Sequence, residues 1–314
     1  MTENRKYVCV GLGEILWDML GTPTAKEGSW EPLPDGKQLG GAPANFAYHA
    51  QALGGRGVVV SCVGDDELGK EIMRRLEELG LERKYVAVDE NHPTGTVTVR
   101  LDRDGKPDYT IHENVAWDFI PSDSSLSELA AQTDAVCFGS LCQRSEVSRS
   151  TIRNFLQATK PDCIRVFDIN LRQSYFNREI VEAMLEVATV LKLNDEELPV
   201  VADLLNLTGS ETDILSQLTA AYPLRMIALT RGANGSRLYA QGESSDHKGF
   251  PAQITDTVGA GDSFAAAITL GLLRGEALDR INEFANRVAS FVCSQSGATP
   301  KLPDDLAGQY RLSG

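Results

Sequence analysis

The stretch "DTVGAGDSF", Asp256 to Phe264, places a carboxylate directly after a Gly-Ala-Gly turn and ahead of an apolar, alanine-rich run. Gly259 and Gly261 allow the backbone to approach a ligand closely, and the apolar residues that follow recur at helical spacing. Free N–H groups at the start of such a helix favour an anion, most naturally a phosphate. The stretch therefore predicts a phosphate site made by backbone at the beginning of a helix.

Asp262 stands beside those N–H groups, where its charge and that of a phosphate would normally repel. One interpretation makes Asp262 a general base that takes the proton of a hydroxyl attacking the phosphoryl group, while the N–H groups hold the developing charge. The other makes it a helix cap, because acids are common in first turns. The stretch alone leaves both interpretations open.

Composition excludes several classes of protein. The chain has 314 residues, 42% of them hydrophobic, and a formal net charge of −14. That charge argues against a nucleic-acid or anionic-membrane surface, because both need a basic patch. No apolar stretch reaches the roughly 18 residues of a membrane helix, and no secretory signal pattern opens the chain. We expect a cytoplasmic protein without nucleic-acid or membrane partners.

The cysteines and histidines do not form a recognisable metal site. Six cysteines are scattered without a C-x-x-C pair, and the four histidines lack metal-ligand spacing. Most of the cysteines lie in apolar runs, which is typical of small buried thiols. We expect reduced thiols and no structural zinc.

Short β-rich apolar runs alternate with helical patterns through most of the length, which predicts a mostly parallel sheet covered by helices on both faces. The predicted strands are Tyr7–Gly11, Gly57–Val63, Ala135–Gly139, Ile164–Asp168, Val190–Leu193 and Met226–Thr230. The predicted helices are Ala44–Leu53, Leu68–Leu79, Ser148–Thr159, Glu179–Val187 and Ile214–Tyr222. The expected fold class is α/β with three layers, α/β/α. From about Asp304 the chain reads as a loose tail.

Two stretches break that alternation. Residues Thr96–His112 read as a β-hairpin around an Asp104-Gly105 turn, and Ile15–Leu39 is irregular and strand-like. Together they could form a small β-sheet lid over the edge of the main sheet. The alternative is two unrelated insertions at the surface. The lid interpretation assigns residues 1–14, 40–93 and 120–314 to the core, and 15–39 and 94–119 to the lid.

The stretch "LGGAPANFAYHA", Leu39 to Ala50, is the second motif. Gly40 and Gly41 precede a helix whose first turn contains Asn45. A side-chain amide there can both donate to and accept from sugar hydroxyls. The alternative is a strand-to-helix turn with Asn45 as a local cap.

Together the two motifs resemble the two signatures of the ribokinase, or PfkB, family of carbohydrate kinases. The Gly-Gly pair followed by Asn45 and Ala47 matches the first signature, and Asp256–Phe264 matches the second throughout. The two occur in order at opposite ends of the chain, and the resemblance covers about residues 7–303. It implies a ribokinase-like α/β/α fold with a small β-lid.

The resemblance implies a set of catalytic and acceptor-binding residues. Asp262 would be the catalytic base, with an anion hole made by Gly259, Ala260 and Gly261. Asp18 would bind sugar hydroxyls beside Gly40, Gly41 and Asn45. In "DINLR", Arg172 would reach the substrate and the transferred phosphate, a task that suits a planar, permanently charged donor fork. Without the resemblance, Arg172 would be a surface ion pair at a strand end.

The same resemblance implies ATP and Mg²⁺. Asn194 and Glu197 match an Asn-x-x-Glu element that supports Mg²⁺, mostly through water, and the nucleotide phosphates. Taken alone, that acidic run reads as a solvated helix start. Thr230, Gly232 and Gly235 match a turn that flanks ATP, and Asn286 would lie near the adenine. Some members also bind a monovalent cation, K⁺ for example. Asp256 and the carbonyls of Val258 and Gly297 fit that site loosely, and Lys301 stands where some members offer a hydroxyl.

Within the family the chain most resembles fructokinases, on the cues "GE…WD", "TGTVTVRLDRDGKPDY", "ENVAWDFI" and "FGSLCQR". The expected reaction is therefore ATP-dependent phosphorylation of fructose to fructose 6-phosphate. A 2-keto-3-deoxygluconate kinase is the nearest rival, because it shares Arg172, and a nucleoside kinase is a more distant one. A sugar-sensing protein with a degenerate kinase fold should have lost Asp262 or the anion-hole glycines. A nicotinamide-dependent dehydrogenase would need the three glycines of a dinucleotide-binding turn, and "GLGEIL" supplies only two of them.

The lid also suggests an oligomeric state. The hairpin carries Val97, Val99 and Leu101 at alternating positions, and we expect an exposed apolar face there to need a cover. Family members often pack two lids together. The sequence therefore predicts a homodimer formed through the lid.

Overall fold

The computed structural model of the protein describes residues 6–23, 30–101 and 107–310. In chain order its strands are β1 (Val8–Leu12), β2 (Leu16–Pro23), β3 (Trp30–Gly40), β4 (Arg56–Gly64), β5 (Val86–Asp89), β6 (Thr96–Leu101), β7 (Pro107–Ile111), β8 (Ala135–Phe138), β9 (Ile164–Asp168), β10 (Val190–Asn194), β11 (Met226–Thr230), β12 (Ser236–Ala240) and β13 (Glu243–His247). Its α-helices are α1 (Ala42–Ala52), α2 (Glu67–Glu78), α3 (Ser124–Gln132), α4 (Glu146–Ala158), α5 (Arg178–Leu185), α6 (Glu197–Leu205), α7 (Glu211–Ala221), α8 (Ala260–Leu273) and α9 (Leu278–Cys293).

The main sheet has nine strands in the order β13-β12-β11-β10-β9-β8-β1-β4-β5. The strands from β11 to β5 in this order pair in parallel, whereas β12 pairs antiparallel with both β11 and β13 at one edge of the sheet. The mostly parallel sheet is therefore confirmed, and each of the six predicted strands is present with bounds within one residue of the prediction. The antiparallel edge was not predicted.

Helices cover both faces of this sheet. On β1, Val8, Val10 and Leu12 pack into one apolar cluster, with residues of α3 to α7, whereas Cys9 packs into another, with α1, α8 and α9. This alternation is what a strand buried on both faces requires. The predicted three-layer α/β/α arrangement is confirmed. Within the described residues, no helix is long and apolar enough to cross a membrane.

A second sheet of four strands, in the order β3-β2-β6-β7, contains the predicted hairpin. Strands β6 and β7 pair antiparallel, with Val97 opposite Ile111. The predicted Asp104-Gly105 turn lies outside the described residues. The expectation that Val97 and Val99 present an exposed apolar face is wrong: they are 6% and 5% exposed and pack into the core cluster that contains Trp117. The exact core and lid boundaries stay predictions.

The C-terminal segment is not a loose tail as far as residue 310. Leu306 and Tyr310 are 3% and 2% exposed and belong to the cluster that contains α8 and α9. The Tyr310 N–H donates to the carbonyl of Leu53 at 3.0 Å, and its ring meets Phe284 edge-on at 5.2 Å. The segment is held because its apolar side chains complete the helical layer.

Candidate active site

The candidate site lies at the carboxyl ends of the central parallel strands, where α/β sheets usually bind ligands. Strand β1 leads into Glu14 and then to β2, which carries Asp18. Strand β9 ends at Asp168 and is followed by the loop with Arg172. Helices α1 and α8 begin at the same end of the sheet and contact each other extensively. Residues far apart in sequence therefore converge on one cleft.

Asp262 lies in the first turn of α8, and its Oδ2 accepts a hydrogen bond of 2.8 Å from the side-chain amide of Asn45. The helix begins at its N-cap, Gly259, without any side-chain capping hydrogen bond. Asp262 is thus not acting as a cap, which removes that interpretation. The contact also joins the two sequence motifs, because Asn45 comes from one and Asp262 from the other.

The carboxyl of Asp262 sits in an environment that favours its neutral form. Burial raises the pKa of Asp262 to about 6, and the nearby Asp168 charge adds to the rise. The Lys192 charge, the Asn45 hydrogen bond and the Arg172 charge oppose it. A carboxylate with a raised pKa is a stronger base than an ordinary one, and it is still ionised at neutral pH.

The backbone before α8 can hold an anion closely. Gly259 is left-handed, with φ 78°, and a Cβ there would lie 2.4 Å from the carbonyl oxygen of Ala298. Only glycine therefore fits this position. Helix α8 has no side-chain cap, and the Ala260 N–H makes only a long hydrogen bond of 3.4 Å to the carbonyl of Thr257, so this start can offer N–H groups to a phosphate. The predicted anion hole of Gly259, Ala260 and Gly261 is geometrically consistent with this start.

The glycine pair of the first motif is required by close packing. A Cβ on Gly40 would lie 2.5 Å from Oδ2 of Asp18, and one on Gly41, with φ 111°, would lie 2.3 Å from the backbone oxygen of Glu14. Burial raises the pKa of Asp18 to about 6, against the Arg172 charge, which lowers it. Asp18 therefore lies against the glycine pair that precedes α1, the helix whose Asn45 holds Asp262.

Arg172 is exposed, and its Nη1 donates a hydrogen bond of 3.2 Å to the carbonyl of its neighbour Leu171. It lies in a loop with two left-handed non-glycine residues, Asn170 at φ 40° and Gln173 at φ 48°. Its charge nevertheless acts on Asp18 and Asp262. Arg172 thus lies within the electrostatic reach of both acids. The surface ion-pair interpretation finds no support among the described residues.

Sequence reasoning missed a buried ion pair beneath the anion hole. Lys192 Nζ donates to both Asp168 oxygens at 2.8 Å, and the two side chains are 9% and 4% exposed. A Cβ on Gly261 would lie 3.1 Å from that Nζ. The only available signal was a lone lysine in the apolar run "VLKLN". The pair places a positive charge directly behind the first turn of α8.

Asn194 and Glu197 form a reciprocal pair at the start of α6. The side-chain oxygen of Asn194 accepts from the N–H of Glu197 at 2.7 Å, and Glu197 Oε2 accepts from the N–H of Asn194 at 2.9 Å. Glu197 Oε1 accepts from the N–H of Leu171 at 2.9 Å. Asp195 and Glu196 are exposed, as a solvated helix start would have them, but Glu197 is only 7% exposed and is held by backbone amides. Each carboxylate oxygen retains a second lone pair that could accept from metal-bound water.

The predicted nucleotide turn follows β11. Gly235, with φ 82°, is tightly enclosed, since a Cβ there would lie 1.9 Å from the carbonyl oxygen of His247, whereas Gly232 faces open space. Thr230 donates to the carbonyl of Leu193 at 3.4 Å. Asn286 is 7% exposed, and its amide nitrogen already donates inside the protein, at 2.7 Å to Ser236. Its role near the adenine stays a prediction.

Asp256 joins two loops beside the anion hole. Its Oδ1 accepts from the N–H of Val258 at 3.0 Å, and its Oδ2 accepts from the N–H of Gly297 at 3.1 Å. The residues predicted for a monovalent cation are therefore adjacent, but the carboxylate oxygens point at amides. Occupancy of that site by K⁺ stays a prediction. The part of the chain that the structure describes has no cluster of three His, Cys, Asp or Glu residues suited to a metal.

Comparison with known proteins gives a consistent result. Residues 6–305 match the sequence model of the pfkB family carbohydrate kinases. A fructokinase from Klebsiella pneumoniae is 31% identical over 297 residues, which cover 87% of this chain and 94% of that protein.

Two solved structures have the same fold. The first, an uncharacterized sugar kinase from Pyrococcus horikoshii in complex with ATP, has a TM-score of 0.76 and 25% identity, and covers 93% of this chain and 94% of its own. The second, a fructokinase with bound ATP from Xylella fastidiosa, has a TM-score of 0.81 and 21% identity, and covers 95% of each chain. These likenesses confirm the predicted ribokinase-like α/β fold with a separate small sheet.

Proposed function

This chain belongs to the pfkB family of carbohydrate kinases, and on that premise we propose that it transfers the γ-phosphoryl group of ATP to O6 of fructose. The observation that carries the proposal is the position of Asp262. It lies at the uncapped start of α8, is held by Asn45, and shares a cleft with Asp18. A base, an anion hole and a hydroxyl-binding acid are the parts that phosphoryl transfer to an alcohol needs.

In the proposed reaction, Asp262 accepts the proton of the attacking hydroxyl. Asn45 orients the carboxylate through the 2.8 Å hydrogen bond to Oδ2, which leaves Oδ1 to face the acceptor. The first N–H groups of α8 stabilise the charge on the transferred phosphoryl group, and Arg172 closes the site from the opposite side. ATP supplies the phosphoryl group, and Mg²⁺ neutralises charge on its phosphates. Asn194 and Glu197 would hold that ion through water, and Asp256 would support a K⁺ ion.

The charges of the cleft favour a neutral acceptor. The carboxyls of Asp18 and Asp262 both have raised pKa values; the Arg172 charge lowers both, and the Lys192 charge lowers that of Asp262. Lys192 is already paired with Asp168. An acidic acceptor such as 2-keto-3-deoxygluconate would add a negative charge to a site in which, of these two cations, only Arg172 is not already paired with a carboxylate. Fructose adds none, and the fructokinase named among the relatives agrees with this choice.

A coupled assay of ADP release tests the proposal. The acceptors are fructose, ribose, 2-keto-3-deoxygluconate, glucose and adenosine, each with saturating ATP and Mg²⁺. We expect the highest kcat/KM with fructose. Turnover only with ketodeoxygluconate or adenosine would show that the fructokinase assignment is wrong. Absence of any turnover would favour the sugar-sensing alternative.

The raised pKa of Asp262 predicts a pH dependence. The base must be ionised, so kcat/KM for fructose should be lost as pH falls through about 6, the folded pKa. A carboxyl with the usual Asp pKa of about 3.9 would keep the enzyme active well below that. Asp18, with a pKa of about 6, makes the decline steeper if it must also be ionised. The profile is measured at saturating ATP and Mg²⁺, and constant activity from pH 5 to 7 would contradict the assigned base.

We also propose a cytoplasmic homodimer formed through the lid. Val97 and Val99 do not supply the dimer surface, because both are buried within one chain. Leu33 and Tyr109 of the lid strands are 39% and 52% exposed and offer an alternative apolar surface. Light scattering at micromolar concentrations should give twice the chain mass. A lower mass after Tyr109→Asp would support this surface, and a monomeric wild type would contradict the dimer.

A further inference from the structure

Glu14 is a buried acid that none of the preceding roles uses. It follows β1 directly after Gly13 and is only 3% exposed. Within residues 6–23, 30–101 and 107–310, its Oε2 has no hydrogen-bond partner. Other buried carboxylates of this region are satisfied, since Asp168 accepts from Lys192 and Glu197 accepts from two backbone amides. A buried carboxyl oxygen without a partner destabilises a fold, so its presence suggests a functional role.

The charged groups near Glu14 are those of the proposed site. The charges that act on its carboxyl are those of Arg172, Asp262 and Asp168. Its backbone oxygen lies against Gly41, the glycine that precedes α1. Burial, the largest influence, raises the pKa of Glu14 to about 7. The carboxyl is thus buried beside the first motif and within the electrostatic reach of Arg172 and Asp262, two of the residues assigned to the proposed site.

A sugar hydroxyl would satisfy this carboxyl in either protonation state. The ionised form accepts a hydrogen bond from the hydroxyl, and the neutral form can donate one to it. A carboxylate on the acceptor would instead repel the ionised form. Glu14 therefore adds a third acid to Asp18 and Asp262, and its effect on binding should depend on the charge of the acceptor.

We propose that Glu14 binds a hydroxyl of the acceptor sugar other than the one that is phosphorylated, and that it discriminates against acidic acceptors. This inference rests on the proposed sugar kinase function and assigns one further acceptor-binding residue to the same site. The competing explanation is that Glu14 only supports the turn between β1 and β2. The two explanations differ in what they expect for stability.

Glu14→Gln is the decisive variant, because it keeps the size of the side chain and removes its charge. Fructose binding, measured by calorimetry without ATP at pH 8, should weaken roughly tenfold, because a hydrogen bond to a charged carboxylate is replaced by a weaker one to a neutral amide. The ratio of kcat/KM for fructose to that for 2-keto-3-deoxygluconate should fall by roughly tenfold or more, because a like charge is removed. The Tm at pH 8 should stay equal or rise, because the buried charge is gone.

Asp134→Asn is the matched control. Asp134 is also a buried acid, but it lies before β8 at the opposite end of the sheet and accepts from the N–H of Val8 at 2.8 Å and from Lys160. Its replacement should lower the Tm and leave fructose affinity unchanged. The two variants should thus show opposite patterns, one in binding and the other in stability.

Several outcomes would overturn the inference. Unchanged fructose affinity in Glu14→Gln, with an active wild type, would overturn it alone. A clearly lower Tm, or a variant that does not fold, would show that the carboxyl serves the fold and would also overturn it. A wild type that phosphorylates none of the acceptors would overturn the proposed function first, and the inference with it.

Discussion

Asp262→Asn should lose roughly 10²–10⁴-fold or more in kcat, the range of general base catalysis, and keep its fold and most of its fructose affinity. The asparagine side chain still offers an oxygen to the amide of Asn45, which donates to Oδ2 at 2.8 Å in the wild type. What it cannot do is accept the proton of the attacking hydroxyl. Steady-state kinetics with fructose and ATP, together with a melting curve, measure both parts of the prediction.

Two controls separate this effect from other roles. Asp213→Asn removes a true capping acid, since Asp213 Oδ2 accepts from the N–H of Ser210 at 2.8 Å at the start of α7. That variant should lower the Tm with kcat unchanged. Asp18→Ala should instead raise KM for fructose, because hydrogen bonds to its hydroxyls are lost. If Asp262→Asn behaved like Asp213→Asn, with near-normal kcat, Asp262 would not be the base.

The sequence alone was sufficient for the parts of the site that depend on backbone geometry. A glycine pair and a Gly-Ala-Gly turn indicate positions where the backbone must lie close to another part of the chain or to a ligand. Gly41 and Gly259 do have positive φ angles, and a Cβ on either would collide with neighbouring backbone. Short apolar runs that alternate with helical patterns likewise predicted the parallel sheet, because a strand that is buried on both faces is apolar at nearly every position. Both kinds of signal are local, and for that reason they can be read from one sequence.

The contacts that sequence reasoning missed depend on which strands become neighbours. Lys192 pairs with Asp168 because β9 and β10 are adjacent and in a register that places these two residues side by side. Val97 and Val99 were expected to be exposed, but the lid packs onto the residues around Trp117. Tyr310 was assigned to a loose tail, yet it fills a place beside Phe284. Each case needed a long-range contact that no local pattern specifies.

The buried pair of Lys192 and Asp168 leads to a large expected loss of stability. Lys192→Met should lower the free energy of unfolding by about 3–5 kcal/mol, because it leaves the Asp168 charge buried without its partner. Whole proteins are stable by only about 5–15 kcal/mol, so the midpoint of urea unfolding should fall markedly. Lys192 keeps its charge in the native protein: burial lowers its pKa, but the Asp168 charge and hydrogen bonds outweigh burial and raise it.

The double variant Lys192→Met/Asp168→Asn removes both charges, so it should recover much of the lost stability. It should not recover full activity, since Lys192 also lies beside Gly261 and its charge lowers the pKa of Asp262. Lys70→Met is the matched control, because it breaks the exposed pair with Glu67 and should leave the midpoint unchanged. A single Lys192→Met variant as stable as Lys70→Met would contradict a buried, mutually dependent pair. A stable double variant with wild-type kcat would restrict Lys192 to the fold and remove it from the electrostatics of the anion hole.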